Sequence, residues 1–253
     1  MAVYKLTLAY DGSGFHGMAE QPDVRTVGGE LRGVLNRILR HDVELSIAGR
    51  TDRGVHANGQ VVSFVSDVGM EADKLRRAVN STFAGEFVVV DAVVVEDSFD
   101  ARRSAISRRY RYSIWNHPSP TPLLRERVWW VSEPLDRSVL RLAADVFVGL
   151  HDFATLCRPP GNGHMVRRVF TSRWLDLDDG RLVYEVSASA FCQQMVRAMV
   201  GLQVDVGRGK LTPGELLGIL RARNRSAVKD VAPARGLVLE EVGYPSQPPL
   251  ARS

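Results

Sequence analysis

The chain has 253 residues, of which 45% are hydrophobic and 25% are charged, and its formal net charge is +4. This composition is typical of a globular protein and argues against intrinsic disorder. No apolar run approaches the ~20 residues that a membrane-spanning helix requires. The N-terminal residues also lack the charged start, apolar block and cleavage site of a secretory signal. We therefore expect a cytoplasmic protein with no membrane partner.

Arginine dominates the basic residues, since 29 of the 33 Lys and Arg side chains are Arg. A guanidinium group presents a planar set of donors that fits phosphate oxygens and can stack on bases. A GC-rich genome that encodes Arg on a solvated surface explains the composition more simply. Nucleic-acid binding therefore needs support from motifs.

Two cysteines, Cys157 and Cys192, are far apart in the sequence and have no Cys/His ligand spacing around them. This spacing argues against a structural zinc site and against a disulfide framework. We expect two reduced, partly buried thiols and no bound metal.

Strand and helix patterns alternate along the first half of the chain. The predicted elements are a strand over residues 3–10, a helix capped by Thr26, strands over 43–48 and 60–65, a helix over 72–79 and a strand over 87–95. The order β-α-β-β-α-β is that of a ferredoxin-like unit.

The second half repeats this order without repeating the sequence. It predicts a strand over residues 104–116, a helix over 135–147, a hairpin of strands 166–178 and 181–189 around Asp179 and Gly180, helices over 191–206 and after Thr212, and a strand over 237–243. The fold class is therefore α+β, with an N-terminal half over residues 1–100 and a C-terminal half over 101–253.

The most informative segment reads AGRTDRGVHANGQVVSF and lies over residues 48–64, around a loop between two predicted strands. Such a loop commonly presents a reactive side chain, and Arg50 and Arg53 would favour the ionised form of Asp52 between them. An Asx-turn with surface ion pairs is the alternative that these residues leave open.

Two further segments carry candidate site residues. On the strand SRRYRY, alternation places Tyr110 and Tyr112 on one face and Arg109 and Arg111 on the other, which suits a stacked base beside phosphates or, more simply, a core tyrosine pair. In the segment SAFCQQMVRAMVG, Arg197 departs from the apolar stripe, so it is either solvated or reaches a carboxylate. Gly12, Gly14 and Gly17 do not match a phosphate-loop or dinucleotide spacing.

Taken in order, these segments resemble the transfer-RNA pseudouridine synthase A family. The motifs that carry the resemblance are YDGSGFHG, AGRTDRGVHANGQV, RRYRY, FCQQMVR and GLVLEEVGYP, which together extend over residues 4–245. The resemblance implies two ferredoxin-like halves with joined antiparallel sheets and a central catalytic cleft. It also implies a homodimer without metal or organic cofactor that modifies the anticodon arm of transfer RNA at positions 38 to 40.

The resemblance also assigns roles to single residues. Asp52 corresponds to the catalytic aspartate and Arg50 to the arginine of the same motif. Tyr110 corresponds to the tyrosine that packs on the target base, Arg197 to the arginine that pairs with the aspartate, and Leu237 to an apolar residue beside the base. We add Arg53, Phe191 and Gln193 as candidate substrate-binding residues because they neighbour these positions.

Four positions depart from the family pattern. Met18 stands where the family usually has Trp, Arg53 where it has Ala, and Gln193 and Gln194 where basic residues are common. These departures bear on RNA contacts and on the uridines that are accepted. Two other functions remain open: a non-catalytic RNA-binding module with tandem ferredoxin-like folds, and a glycosidase-like hydrolase, for which no second carboxylate stands out near Asp52.

Overall fold

The structure is a computed structural model that describes residues 1–83, 85–158, 164–228 and 230–245. The chain divides into two compact units. Unit 1 comprises Met1–Ser107 and Leu239–Ser253, and unit 2 comprises Arg108–Val238. Unit 2 is therefore inserted into the sequence of unit 1, ahead of the last segment of that unit.

The described residues form a mixed α+β fold with mostly antiparallel strand pairing, which confirms the expected class. The strands are β1 (Ala2–Tyr10), β2 (Ser46–Ile47), β3 (His56–Ser66), β4 (Phe87–Val95), β5 (Ser107–Asn116), β6 (Trp129–Val131), β7 (Gly149–Asp152), β8 (Val166–Asp176), β9 (Arg181–Ala188) and β10 (Leu237–Gly243). The α-helices are α1 (Val27–Leu39), α2 (Ala72–Asn80), α3 (Arg137–Asp145), α4 (Met195–Gly207) and α5 (Pro213–Arg221). Among these described helices, none is both long and apolar enough to cross a membrane.

In unit 1 the strand order is β4-β1-β3, with β2 paired to β3 and the Leu239–Gly243 part of β10 beside β3. The β1–β3 and β1–β4 pairs are antiparallel. Leu6 and Leu8 of β1 are fully buried, as are Leu31 and Leu35 of α1, because alternation along the strand and helical spacing along α1 give each element one apolar face. Burying each such side chain contributes roughly 1.5–3 kcal/mol. The Thr26 hydroxyl caps α1 by accepting from Gly29 N at 3.2 Å, as predicted.

In unit 2 the strands β5-β9-β8-β7 are neighbours in antiparallel pairs, and β6 runs parallel to β5. Helix α4 is buried over most of its length and carries the predicted site residue Arg197 in its first turn. The capping box predicted for α5 is present, since the Thr212 hydroxyl accepts from Glu215 N at 3.2 Å and the Glu215 carboxylate accepts from Thr212 N at 2.8 Å.

Several elements differ from the sequence prediction. Strand β2 has only two residues, because Val43 N donates to the Asn36 side chain at 3.0 Å instead of to a strand. Helix α4 begins at Met195 rather than at residue 191, because Gln194 adopts a left-handed conformation with φ 66°. The short strands β6 and β7 were not predicted, since three or four residues show too little alternation.

The expectation of two reduced thiols was wrong. Cys157 and Cys192 form a disulfide with a Cα–Cα distance of 5.6 Å, which is within the usual range. Their 35-residue sequence separation concealed the pairing, because it is the turn after β7 and the segment before α4 that bring them together.

Candidate functional site

A buried polar cluster of Tyr10, Thr51 and Gln60 holds the loop that carries Asp52. The Tyr10 and Thr51 hydroxyls are 2.8 Å apart. The fully buried Gln60 side chain accepts from Gly49 N at 3.2 Å and donates to Gly49 O at 2.6 Å, so its amide replaces a missing strand partner. Burial raises the pKa of Tyr10 to about 12, against smaller opposing effects of hydrogen bonds with Thr51 and Gln60. The cluster therefore stays uncharged at neutral pH.

The loop of residues 15–18 packs against the Asp52 loop. Met18 N donates to Thr51 O at 3.1 Å. Gly17 has φ 97°, and a Cβ atom there would lie 2.6 Å from Thr51 O and 3.2 Å from the carbonyl carbon of Asp52. Glycine at this position thus permits close backbone approach to the Asp52 loop, which is a structural role and not a phosphate-binding one. Met18, a departure from the family pattern, is fully buried.

The far end of the loop is held by His56, which is 1% exposed. Gly12 N donates to His56 Nδ1 at 3.1 Å, and Asp11 Oδ1 lies 3.1 Å from the same nitrogen. These contacts tie the turn after β1 to the start of β3. Because both ends of the loop are anchored, the backbone of Asp52 is fixed independently of its own side chain.

The charged side chains of this loop are its more accessible part. Asp52 is half-buried, while Arg50 and Arg53 are exposed. Within the part of the chain that the structure describes, neither arginine has a side-chain hydrogen bond or ion pair. Both guanidinium groups are therefore available for a phosphate.

In unit 2 the strand β5 separates two kinds of side chain, as alternation predicts. Tyr110 is 8% exposed and Tyr112 is fully buried, while Arg111 is exposed on the opposite face. The Tyr110 ring meets the Phe191 ring edge-on, with centroids 5.1 Å apart. The Tyr112 hydroxyl donates to Pro233 O at 2.7 Å, and burial raises its pKa above the ordinary tyrosine value. Both tyrosines are thus buried, Tyr112 completely.

Arg197 and Leu237 also belong to unit 2. Arg197 is half-buried, and its Nε donates to Ala232 O at 2.7 Å, so the segment that precedes β10 orients the guanidinium group. Leu237 is 5% exposed at the start of β10. Gln193 is exposed, and its carbonyl accepts from Arg158 N at 3.0 Å. Within unit 2, the rings of Tyr110 and Phe191 are in contact.

Known proteins similar to this chain match it over nearly its whole length. A family model described as tRNA pseudouridine synthase matches residues 143–245. The tRNA pseudouridine synthase A of Leifsonia xyli subsp. xyli is 40% identical over 98% of this chain and 94% of that protein. The protein of the same name from Dictyoglomus thermophilum is 38% identical over 96% of this chain and 100% of that protein. This chain belongs to the tRNA pseudouridine synthase A family.

Membership of this family confirms the resemblance drawn from the sequence motifs and makes the chain an isomerase of the pseudouridine synthase class. It speaks against both the non-catalytic module and the hydrolase. A further relative, tRNA pseudouridine synthase A of Corynebacterium glutamicum, is 40% identical over 96% of this chain and 89% of that protein. Among solved structures, an archaeal Nop10–Cbf5 complex gives a TM-score of only 0.37 at 12% identity over 79% of this chain and 44% of that chain.

Sequence reasoning missed one charged cluster of this family member. Glu185 of β9 is 4% exposed and lies on the face of the unit 2 sheet opposite Tyr110. Its carboxylate accepts from Arg111 Nε at 3.0 Å and from Arg173 Nη2 at 2.6 Å, and Arg109 Nη1 is 3.5 Å away. Burial alone would raise the pKa of Glu185, but hydrogen bonds from Arg173 and Arg111 outweigh it and hold that pKa below its usual value. Arg109 and Arg111 at alternate positions of β5 were the available signal.

Proposed function

We propose that this enzyme converts uridine to pseudouridine in transfer RNA, at positions 38 to 40 of the anticodon arm, with Asp52 as the catalytic carboxylate. The observation that carries the proposal is the rigid loop of residues 49–55, which presents a half-buried carboxylate between two exposed guanidinium groups. Its motif matches that of the family's catalytic aspartate.

The reaction breaks the bond between C1′ and N1 of uridine, turns the uracil and forms a bond between C1′ and C5. It is redox-neutral, so the substrate itself contains every atom that the product requires. A carboxylate near C1′ can form a covalent adduct or stabilise a sugar cation. The loop scaffold supports either role, because Tyr10, Thr51 and Gln60 keep the backbone of Asp52 in place while its carboxylate reacts.

The base must leave its stack to react, at a cost of a few kcal/mol. In the proposal, the ring of Tyr110 stacks on the flipped uracil, with Phe191 and Leu237 as apolar neighbours. The edge-on contact between Tyr110 and Phe191 supports this assignment, because it fixes the plane against which a base would lie.

The arginines supply charge in this proposal. Arg197 supplies the positive charge that pairs with the Asp52 carboxylate. A hydrogen bond from its Nε to Ala232 O at 2.7 Å restrains the guanidinium group, which supports a fixed position for this charge. Arg50 acts as a catalytic residue beside Asp52 in the same motif. Arg53 binds a phosphate beside the target nucleotide, and Gln193 contributes a hydrogen bond. Binding energy from phosphates offsets the cost of flipping the base.

The architecture implied by the family belongs to the same proposal. The N-terminal half, residues 1–100, and the C-terminal half, residues 101–253, are each taken as ferredoxin-like, for which the order β1-α1-β2-β3-α2-β4 of the first half is the support. The halves join their sheets around a central catalytic cleft, and two copies form a homodimer that works in the cytoplasm without metal or organic cofactor. The described residues contain no group of three or more His, Cys, Asp or Glu side chains that could hold a metal.

The test is Asp52→Asn with unmodified transfer RNA as substrate. We expect no pseudouridine at positions 38 to 40, because the amide cannot act as a nucleophile or as an anion. Transfer-RNA affinity should stay within a few-fold of the parent, since an acid does not attract a polyanion. Asp97→Asn, at an exposed position, is the matched control and should retain activity. Near-normal turnover by a folded Asp52→Asn enzyme would refute the catalytic role.

A further inference from the structure

The disulfide joins two segments of unit 2, and one of them is rigid. Cys157 is fully buried in the turn that follows β7. Phe153 O accepts from Leu156 N at 2.8 Å and from Cys157 N at 3.1 Å. The buried Thr155 hydroxyl accepts from Asn224 N at 3.1 Å. These bonds make the Cys157 side an anchor.

The other segment, residues 191–194, leads into α4 and carries the predicted base-contacting residue Phe191. Its hydrogen bonds to other parts of unit 2 include Gln193 O accepting from Arg158 N at 3.0 Å and the Gln194 side chain accepting from Arg225 at 3.3 Å. Gln194 holds a left-handed φ of 66°, which is unfavourable for a residue with a Cβ atom. The segment would therefore relax if a tie were lost, and the disulfide at Cys192 is its covalent tie.

We propose that Cys157 and Cys192 form a reversible thiol–disulfide switch that sets the position of Phe191 against Tyr110 and thereby controls capture of the target uridine. This inference rests on the proposed function, in which Tyr110 and Phe191 contact the flipped uracil. The oxidised state holds the 191–194 segment so that the ring centroids of Tyr110 and Phe191 are 5.1 Å apart. Reduction releases the segment and weakens base capture.

Oxidation of the two thiols to the disulfide requires an oxidant, and a small-molecule disulfide such as glutathione disulfide can supply it. Cys192 is half-buried while Cys157 is fully buried, so the Cys192 thiolate attacks first. One glutathione thiolate leaves and a mixed disulfide forms. The Cys157 thiolate then attacks the Cys192 sulfur and displaces the second glutathione. Two protein thiols lose two protons and two electrons in total, and one glutathione disulfide becomes two glutathione thiols.

The chain contains two cysteines, so thiol chemistry reports on this pair alone. The enzyme is prepared with glutathione disulfide and with dithiothreitol, and its redox state is read from alkylation and intact mass. We expect kcat/KM for transfer RNA to fall by about three- to tenfold on reduction, the range for releasing one ordered interface side chain. The loss should lie mainly in KM and should reverse on reoxidation. Glutathione disulfide is preferred to peroxide because it does not oxidise methionine.

The double variant Cys157→Ser/Cys192→Ser is the matched control. It should have the activity of the reduced parent in both treatments. Equal kcat/KM of the oxidised and reduced parent, or a stable glutathione adduct in place of the internal bond, would overturn the switch. Phe191→Ala separates this result from the proposed function. If Phe191→Ala and Tyr110→Ala are both as active as the parent, the base-contacting roles are wrong; if both lose activity while the redox state has no effect, only the switch is wrong.

Discussion

Tyr110 is the residue whose ring and hydroxyl can be tested separately. Its ring is 8% exposed and edge-on to Phe191. We expect Tyr110→Ala to lose most activity, because stacking between a base and an aromatic ring contributes ~1–3 kcal/mol. Tyr110→Phe keeps the ring, so any loss in that variant measures the hydroxyl. The measurement is the single-turnover rate of each variant on transfer RNA. A Tyr110→Ala variant as fast as the parent would exclude the stacking role.

Arg53 is an exposed cation in the Asp52 loop at a position where the family usually has Ala. We hypothesise that it replaces a phosphate contact that basic residues make at Gln193 or Gln194 in relatives. Arg53→Ala should then weaken transfer-RNA binding and reduce the slope of log affinity against log salt by about one. Adding Gln193→Arg should restore part of both changes.

The measurement for Arg53 is a salt titration of binding for the parent, the single variant and the double variant. Lys74→Ala removes one exposed cation from α2 of the same unit and serves as the control for net charge. A slope unchanged by Arg53→Ala, or changed equally by Lys74→Ala, would exclude a specific phosphate contact of Arg53.

At the scale of elements, the contact between the 15–18 loop and the Asp52 loop can be tested with one methyl group. Gly17→Ala places a Cβ atom 2.6 Å from Thr51 O at a residue with φ 97°, so backbone must move. We expect kcat to fall at least ~10-fold, since small displacements of a catalytic group are costly. Stability should also fall, by roughly 1–3 kcal/mol.

Gly33→Ala is the matched control for Gly17→Ala. Gly33 lies in α1, and no described atom outside its own helix lies within 4 Å of the position that an alanine methyl group would occupy. Alanine in a helix interior stabilises by roughly 0.5–1 kcal/mol over glycine, so this variant should unfold at higher denaturant and keep its activity. Activity of Gly17→Ala equal to that of Gly33→Ala would show that the backing loop does not position Asp52.

The unit 2 sheet contains a carboxylate whose ionisation contributes to stability. The pKa of Glu185 is lowered in the folded protein, so its contribution is present above the unfolded pKa, near the ordinary value of 4.5, and is lost as pH falls through the folded pKa. Glu185→Gln should destabilise by about 1–3 kcal/mol at pH 7. Urea unfolding against pH should show parent and variant converging below that range, whereas exposed Glu44→Gln stays within ~0.5 kcal/mol of the parent at every pH.

Much of this element structure was accessible from sequence because it depends on local patterns. Alternation and capping located β1, β4, α1 and α5 with few errors. The remainder depends on contacts between distant residues. The Asn36 side chain accepts from Val43 N, which would otherwise pair in a strand, and the Gln60 side chain donates to Gly49 O of the Asp52 loop. The Glu185 carboxylate accepts from arginines on two strands. Periodicity in the sequence does not reveal which distant residues are in contact. The Cys157–Cys192 bond was missed for the same reason.

For the whole molecule, the family resemblance predicts a homodimer. Light scattering of the purified enzyme should give a mass about twice the 28.0 kDa of one chain. The mass should be independent of concentration in the micromolar range, because interfaces of permanent homodimers are large. A mass of one chain with full activity would contradict the prediction.

The insertion of unit 2 within unit 1 also has a consequence for the order in which a ribosome delivers the parts. Residues 1–107 emerge first, yet unit 1 also includes the segment that begins at Leu239, whose strand lies beside β3. A nascent chain therefore lacks the β10 partner of β3, and part of that edge stays unpaired, while all of Arg108–Val238 is translated. Unpaired edges invite association with other chains. The unit that carries the Asp52 loop is thus complete only after the segment from Leu239 has left the exit tunnel.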